Sequence, residues 1–137
     1  MSQTPLQAAQ ALANGDLILL PTETVYGLGA DASNAEAVAA IFAAKGRPKF
    51  NPLISHVVDV DAAAKIGELG PLGLALADAF WPGPFTLITP ILDTRSVCDL
   101  ARAGLDSVAI RVPAHPVARE VLAAFGGPVV APSANRS

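Results

Sequence analysis

Cysteine is almost missing: Cys98 is the single one among 137 residues, so no intrachain disulfide and no Cys–Cys metal knuckle can form. A reducing, cytoplasmic setting is the expectation. Aromatic residues are sparse at 5%, charged residues reach only 15%, and the net charge is −3. That balance argues against an extended basic surface coating nucleic acid, though a small local anion site is still compatible with it. No apolar run approaches the roughly 20 residues that a membrane-spanning helix needs. Met1-Ser2-Gln3-Thr4-Pro5 lacks the basic start of a secretory signal. What is abundant is apolar. Hydrophobic letters make up 52% of the chain, which excludes disorder, and the length fits one domain with its own core and no staple.

Helical and strand patterns alternate along the chain. Thr4 before Pro5 is a cap and first-turn pair and Gly15 is a stop, which predicts a helix over 5–14. The apolar run 17–20, ended by Pro21, predicts a strand buried on both faces. Ser33 and Glu36 have capping-box spacing, and Gly46 sits where a helix end wants a left-handed residue. The helix between them carries Val38, Ile41, Phe42 and Lys45 on one stripe. Strands are predicted over 53–58, 85–92, 107–112 and from 129 to 131, and helices over 61–69, 72–80 and 116–125. Pro90 implies an edge strand or a bend. Trp81-Pro82-Gly83-Pro84 reads as a turn with Trp81 as a packing anchor, and 93–105 as an exposed excursion. The order αβαβααββαβ predicts one domain, 1–137, with a mixed α/β sheet and helices packed on it. A strand running into Pro132-Ser133-Ala134-Asn135-Arg136-Ser137 should lead onward, so the chain reads as though it stops inside its fold.

Chemistry concentrates in few places. Lys45, Arg47 and Lys49 put three of the nine basic residues within five positions, on a backbone restricted by Gly46 and Pro48. Such a bend presents Lys45 and the planar fork of Arg47 to phosphate or carboxylate oxygens. The competing reading is a lysine complementing a helix C-terminus beside two solvated cations. Asn51 opens an ordinary Asn-Pro turn, and His56 lies in an apolar strand where a buried, half-satisfied imidazole is the commoner outcome. The stretch 21–29 offers Thr22, Thr24 and Tyr26 with two glycines in a loop after a strand, where open sheets bind ligands. On strand 107–112, Ser107, Ala109 and Arg111 point one way and Val108, Ile110 and Val112 the other. Ser133 and Asn135 place small polar groups after the last strand.

Several familiar motifs are excluded. Gly27-Leu28-Gly29-Ala30-Asp31-Ala32 satisfies a dinucleotide pattern, yet the helix opens only after it and no acidic residue stands about 20 positions on. There is no Gly-Lys-Ser/Thr, no G-x-S-x-G around Ser133, and no H-E-x-x-H. No protein-built metal cage is expected.

Together, five stretches in this order resemble the YrdC/Sua5 family of threonylcarbamoyl-AMP synthases: Pro21-Thr22-Glu23-Thr24-Val25-Tyr26-Gly27-Leu28, Lys45-Gly46-Arg47-Pro48 with Asn51-Pro52-Leu53, Trp81-Pro82-Gly83-Pro84, Val108-Ala109-Ile110-Arg111-Val112-Pro113, and Pro132-Ser133-Ala134-Asn135. The resemblance implies a YrdC-like twisted mixed sheet with helices packed on it and a concave cleft. It implies synthesis of L-threonylcarbamoyladenylate from L-threonine, bicarbonate or CO2 and ATP, with Mg2+ sharing the triphosphate charge. Lys45 and Arg47 would then be the catalytic cations holding ATP phosphates, with Asn51 assisting and Ser107, Ser133 and Asn135 lining the nucleotide side. Thr24, His56 and Arg111 would line the threonine side, Arg111 as partner of the carboxylate, and Tyr26 would pack against a substrate. Downstream proteins that transfer threonylcarbamoyl to tRNA are the implied partners, with weak RNA contact and no membrane. Members continue past the Ser-Ala-Asn motif, and the Lys-Gly-Arg-Pro form looks more like the long Sua5-type branch. Two other functions fit the same fold: a double-stranded RNA or tRNA-binding module, and a domain handling carbamoyl-adenylate without threonine.

Overall fold

In the computed structural model of the chain, the described residues are 4–21, 26–46, 48 and 51–132. The first helix, α1 (Pro5–Ala13), starts where its sequence demands. Thr4 Oγ1 accepts the Gln7 N–H at 3.1 Å, and Gln7 Oε1 accepts the Thr4 N–H at 3.0 Å, so two orphan donors are satisfied reciprocally. Strands β1 (Ile18–Pro21) and β2 (Tyr26–Asp31) form an antiparallel pair, followed by α2 (Ala35–Lys45) and β3 (Ile54–His56). Then come α3 (Val60–Ile66), α4 (Gly70–Phe80), β4 (Leu87–Pro90), β5 (Ser107–Arg111), α5 (Pro116–Phe125) and β6 (Val129–Ala131).

The six strands make one mixed sheet in the order β1-β2-β6-β3-β5-β4. Only β3 and β5 run parallel; the other neighbours are antiparallel. One face carries Ile18, Leu20 and Val129, packed with Ala8 and Leu12 of α1 and with Ala118, Val121 and Leu122 of α5. The other face carries Ala30, Val108, Ile110 and Val130 and is covered by Val38, Ile41 and Phe42 of α2 and by Ile66 of α3. Ser55, in register with Val130 and Ile110, is fully buried there, and its hydroxyl has no hydrogen-bond partner among the described residues.

Four expectations need correction. β1 is an edge strand rather than one buried on both faces, and Leu19 is 64% exposed. Its edge position is also what tolerates Pro21 in the ladder. The stretch 21–29 is not all loop, because β2 begins at Tyr26. Gly29 belongs in that strand for packing: a Cβ there would lie 3.1 Å from Val129 Cγ1 and 3.5 Å from both Ile18 Cγ1 and Leu20 Cβ. The cap of α2 is Asn34, whose side chain accepts the Ala37 N–H at 3.1 Å, since the Ser33 hydroxyl is turned back onto Asp31. Gly46 does end α2 in the left-handed conformation, at φ +62°.

The fourth correction concerns 93–105. It turns inward rather than out, with Val97 and Ala101 in the larger core. Arg102, only 4% exposed, holds it there. Its Nε donates to the Val97 carbonyl at 3.0 Å, Nη1 donates to the Leu105 carbonyl, and Nη2 pairs with Asp99. The Leu53 N–H donates to the Ala101 carbonyl and the Cys98 N–H to the Ala32 carbonyl, tying this turn to the strands beside it.

Candidate functional site

Strand directions decide what can meet. Pro21 pairs with Tyr26, and Ile54 pairs with both Ala131 and Ala109. The end of β1, the starts of β2, β3 and β5 and the end of β6 therefore share one end of the sheet. Helix α2 starts beyond the far end of β2 and packs back along it, which returns Lys45 and Gly46 to that same end. The flanks of the Thr24, Arg47 and Ser133 stretches are thus gathered by topology alone. Thr24, Arg47, Ser133 and Asn135 themselves lie outside the described residues.

Lys45 is exposed at the end of its helix, where the apolar stripe of Val38, Ile41 and Phe42 anchors everything but the last turn. Asn51 is half-buried, and its N–H donates to the Pro48 carbonyl at 3.2 Å, so the segment before β3 is bent back on itself. Ser107, at the start of β5, is half-buried on the same face as Ala109 and Arg111, as alternation predicts, while Val108 and Ile110 are buried in the core. Four residues of extended chain separate Ser107 from Arg111 by about 13 Å.

Arg111 and His56 are register partners on adjacent parallel strands and share one face. His56 is 1% exposed, and its Nδ1 lies 3.3 Å from the Val129 carbonyl oxygen. A carbonyl only accepts, so this contact calls for the proton on Nδ1. Arg111 is half-buried; its Nε and Nη2 donate to Thr86 Oγ1 at 3.0 and 2.6 Å. Thr86 escaped the sequence reading, because only the β4–β5 register sets it opposite Arg111. Between these polar groups the face carries Gly27, Ala131, Ile54 and Ala109, and among the described residues a Cβ built on Gly27 would reach Ala131 Cβ at 3.9 Å. Toward the β4 edge, Ile88 is 70% exposed. Tyr26 is exposed at the start of β2.

Two hollows lie elsewhere and contain none of these side chains. One of about 340 Å³ is lined by Asp59, Asp78, Trp81, Val112 and Arg119 among others. Trp81 there packs against the core and donates its Nε1–H to the Phe85 carbonyl at 2.7 Å, which is an anchoring role. The other, about 460 Å³, includes Asp31, Asp93 and Arg95. The Ser96 hydroxyl, the Arg95 N–H and the Arg95 charge hold the Asp93 carboxyl below its ordinary value there. Among the described residues no group of three or more His, Cys, Asp or Glu is placed to hold a metal ion. No described helix is long and apolar enough to cross a membrane.

The Sua5/YciO/YrdC family model, described as "Telomere recombination", matches residues 10–137. A threonylcarbamoyl-AMP synthase of Bacillus subtilis is 45% identical over 132 residues, covering 96% of this chain and 38% of that protein. A threonylcarbamoyl-AMP synthase of Methylococcus capsulatus is 44% identical, covering 95% of this chain and 69% of that protein. Among solved structures, P. abyssi Sua5 complexed with L-threonine superposes with a TM-score of 0.89 at 43% identity, over 97% of this chain and 39% of that one. The chain thus spans well under half the length of the Bacillus and P. abyssi relatives. With the six-stranded mixed sheet, the ordered motifs and these likenesses together, the chain belongs to the Sua5/YciO/YrdC family.

Proposed function

We propose that this domain joins L-threonine, bicarbonate or CO2 and ATP into L-threonylcarbamoyladenylate, releasing pyrophosphate. The observation that carries the reading is the two-ended polar strip on one face of β5, with Ser107 at the end to which α2 returns and Arg111 beside His56 at the other. The relatives' names and the threonine complex of P. abyssi Sua5 support the same reading.

In this mechanism the threonine amine attacks the carbon of CO2 and loses a proton, giving a carbamate. A carbamate oxygen then attacks the α-phosphorus of ATP, and the bond to the β-phosphate bridging oxygen breaks as pyrophosphate leaves. No protein nucleophile is required; positioning and charge neutralisation supply the acceleration. Lys45 and Arg47 hold the phosphates, with Asn51, Ser107, Ser133 and Asn135 on the nucleotide side. Arg111 takes the threonine carboxylate and His56 lines the site beside it, with Thr24 also assigned to the threonine side. Mg2+ enters with the triphosphate as part of the substrate, sharing its negative charge with the cations, and no step is assigned to the ion. The product would pass to cytoplasmic proteins that transfer threonylcarbamoyl to tRNA.

Pyrophosphate release, measured with threonine and bicarbonate omitted in turn, tests the reaction. Release should require both; release without threonine would sink the proposal and favour a carbamoyl-adenylate enzyme. In the same assay, Lys45→Ala should raise the ATP KM roughly tenfold, as expected for losing one charge-assisted contact. An unchanged ATP KM removes Lys45 from the site.

A further inference from the structure

The Trp81-Pro82-Gly83-Pro84 turn packs against the core and also delivers a side chain to the strip. Leu87 pairs with Ile110, so the next position of that antiparallel ladder sets Thr86 against Arg111 on the same face. The turn is clamped on both sides of its bend. The Gly83 N–H donates to the Val112 carbonyl at 2.9 Å, one residue past Arg111, and Trp81 Nε1 donates to the Phe85 carbonyl, one residue before Thr86. Thr86 is therefore held by rigid neighbours on either side, and it is half-buried.

Both donors on one edge of the Arg111 guanidinium, Nε and Nη2, converge on Thr86 Oγ1. Two bonds to one fixed oxygen set the guanidinium plane, where a single bond would leave it free to rotate. A free arginine must give up side-chain freedom when it meets a ligand; one already pinned has given it up in folding. The Nε–Nη2 edge is turned toward Thr86.

We propose that Thr86 is a positioning residue for amino-acid recognition, acting through Arg111 and touching no reacting atom. This rests on the function proposed above. The Trp-Pro-Gly-Pro turn then serves as the mount that sets the direction of the arginine.

The test is steady-state kinetics of the complete protein with Thr86→Val, Thr86→Ser, Arg111→Lys and the Thr86→Val/Arg111→Lys double variant, alongside thermal unfolding. Thr86→Val should raise the threonine KM about tenfold, because the arginine keeps its charge and loses its fixed direction, while kcat and the ATP KM move less than about twofold. Thr86→Ser, which keeps the acceptor, should return the threonine KM to within about twofold of wild type. Where Arg111→Lys is already present, Thr86→Val should add little. Should Thr86→Val not fold, the serine variant and Thr86→Ala carry the comparison. The inference is overturned by an unchanged threonine KM, by equal loss in all parameters, or by additivity with Arg111→Lys. Threonine-independent pyrophosphate release by the wild-type protein instead overturns the underlying function, before any variant is compared.

Discussion

Arg111→Ala is expected to raise the threonine KM about a hundredfold, with the ATP KM changed by less than about threefold. A carboxylate held by a guanidinium makes two charge-assisted bonds, each worth about 1.5–3 kcal/mol, and tenfold in affinity corresponds to about 1.4 kcal/mol. The lower end of that range already gives two decades. Competing losses are smaller. Thr86, left without its two donors, is half-buried, so its hydroxyl costs little more than an ordinary neutral bond. Arg111→Lys should recover part of the loss, because an ammonium supplies charge but not the planar fork. Titration of threonine at saturating ATP checks the result, and an unaltered threonine KM would remove Arg111 from the amino-acid end.

The second large effect is on stability. Arg102→Ala should destabilise the domain by about 3 kcal/mol and lower Tm by roughly 10 °C. The reasoning turns on which partner stays wet. Asp99 is 87% exposed and keeps its hydration when the arginine is lost, so the ion pair itself contributes little. The Val97 carbonyl loses the donor that reached it from a buried guanidinium, and an unsatisfied buried acceptor costs about 1–3 kcal/mol, whereas the Leu105 carbonyl belongs to an exposed residue and can turn to water. Removal of the side chain also empties packed space beside Val97 and Ala101. Arg102→Lys should rescue little, since one ammonium cannot span three acceptors lying in different directions. Urea or thermal unfolding measures this, and a Tm within about 2 °C of wild type would contradict it.

What was legible in the sequence follows from where the determining forces lie. The Ser107–Arg111 alternation and the stop at Pro113 are local, and β5 appears as read. Thr4 with Gln7 and Gly46 after Lys45 carry their helix ends in their own chemistry. β2 was hidden because Gly27 and Gly29 suppress strand propensity, while the demand for Gly29 comes from Val129 and Ile18 across the sheet. Leu19 could not be read as exposed from a run of four apolar letters; only the strand order makes β1 an edge. Ser33 and Asn34 are both able caps, and capture of the serine by Asp31 settled the matter. Arg102 reads as a surface residue by composition, and only the closed turn shows how its charge is satisfied in the interior. Among the candidate site residues, Lys45, Asn51, Ser107, His56 and Arg111 are singled out by local sequence, with the roles proposed for them implied by the family resemblance, whereas Thr86 lies 25 positions from Arg111 and emerges only from register.

The sheet order has a consequence for biosynthesis. β6, the last strand described, sits in the interior between β2 and β3, both of which precede it by more than 70 positions in the chain. Until it leaves the ribosome, the nascent polypeptide holds two unsatisfied strand edges facing a gap, the situation that invites pairing with the wrong neighbour. Closure then requires a late insertion at high sequence separation, a slow class of event. The same wedge aligns β2 with β3, so the face proposed to bind substrate is assembled only once β6 docks.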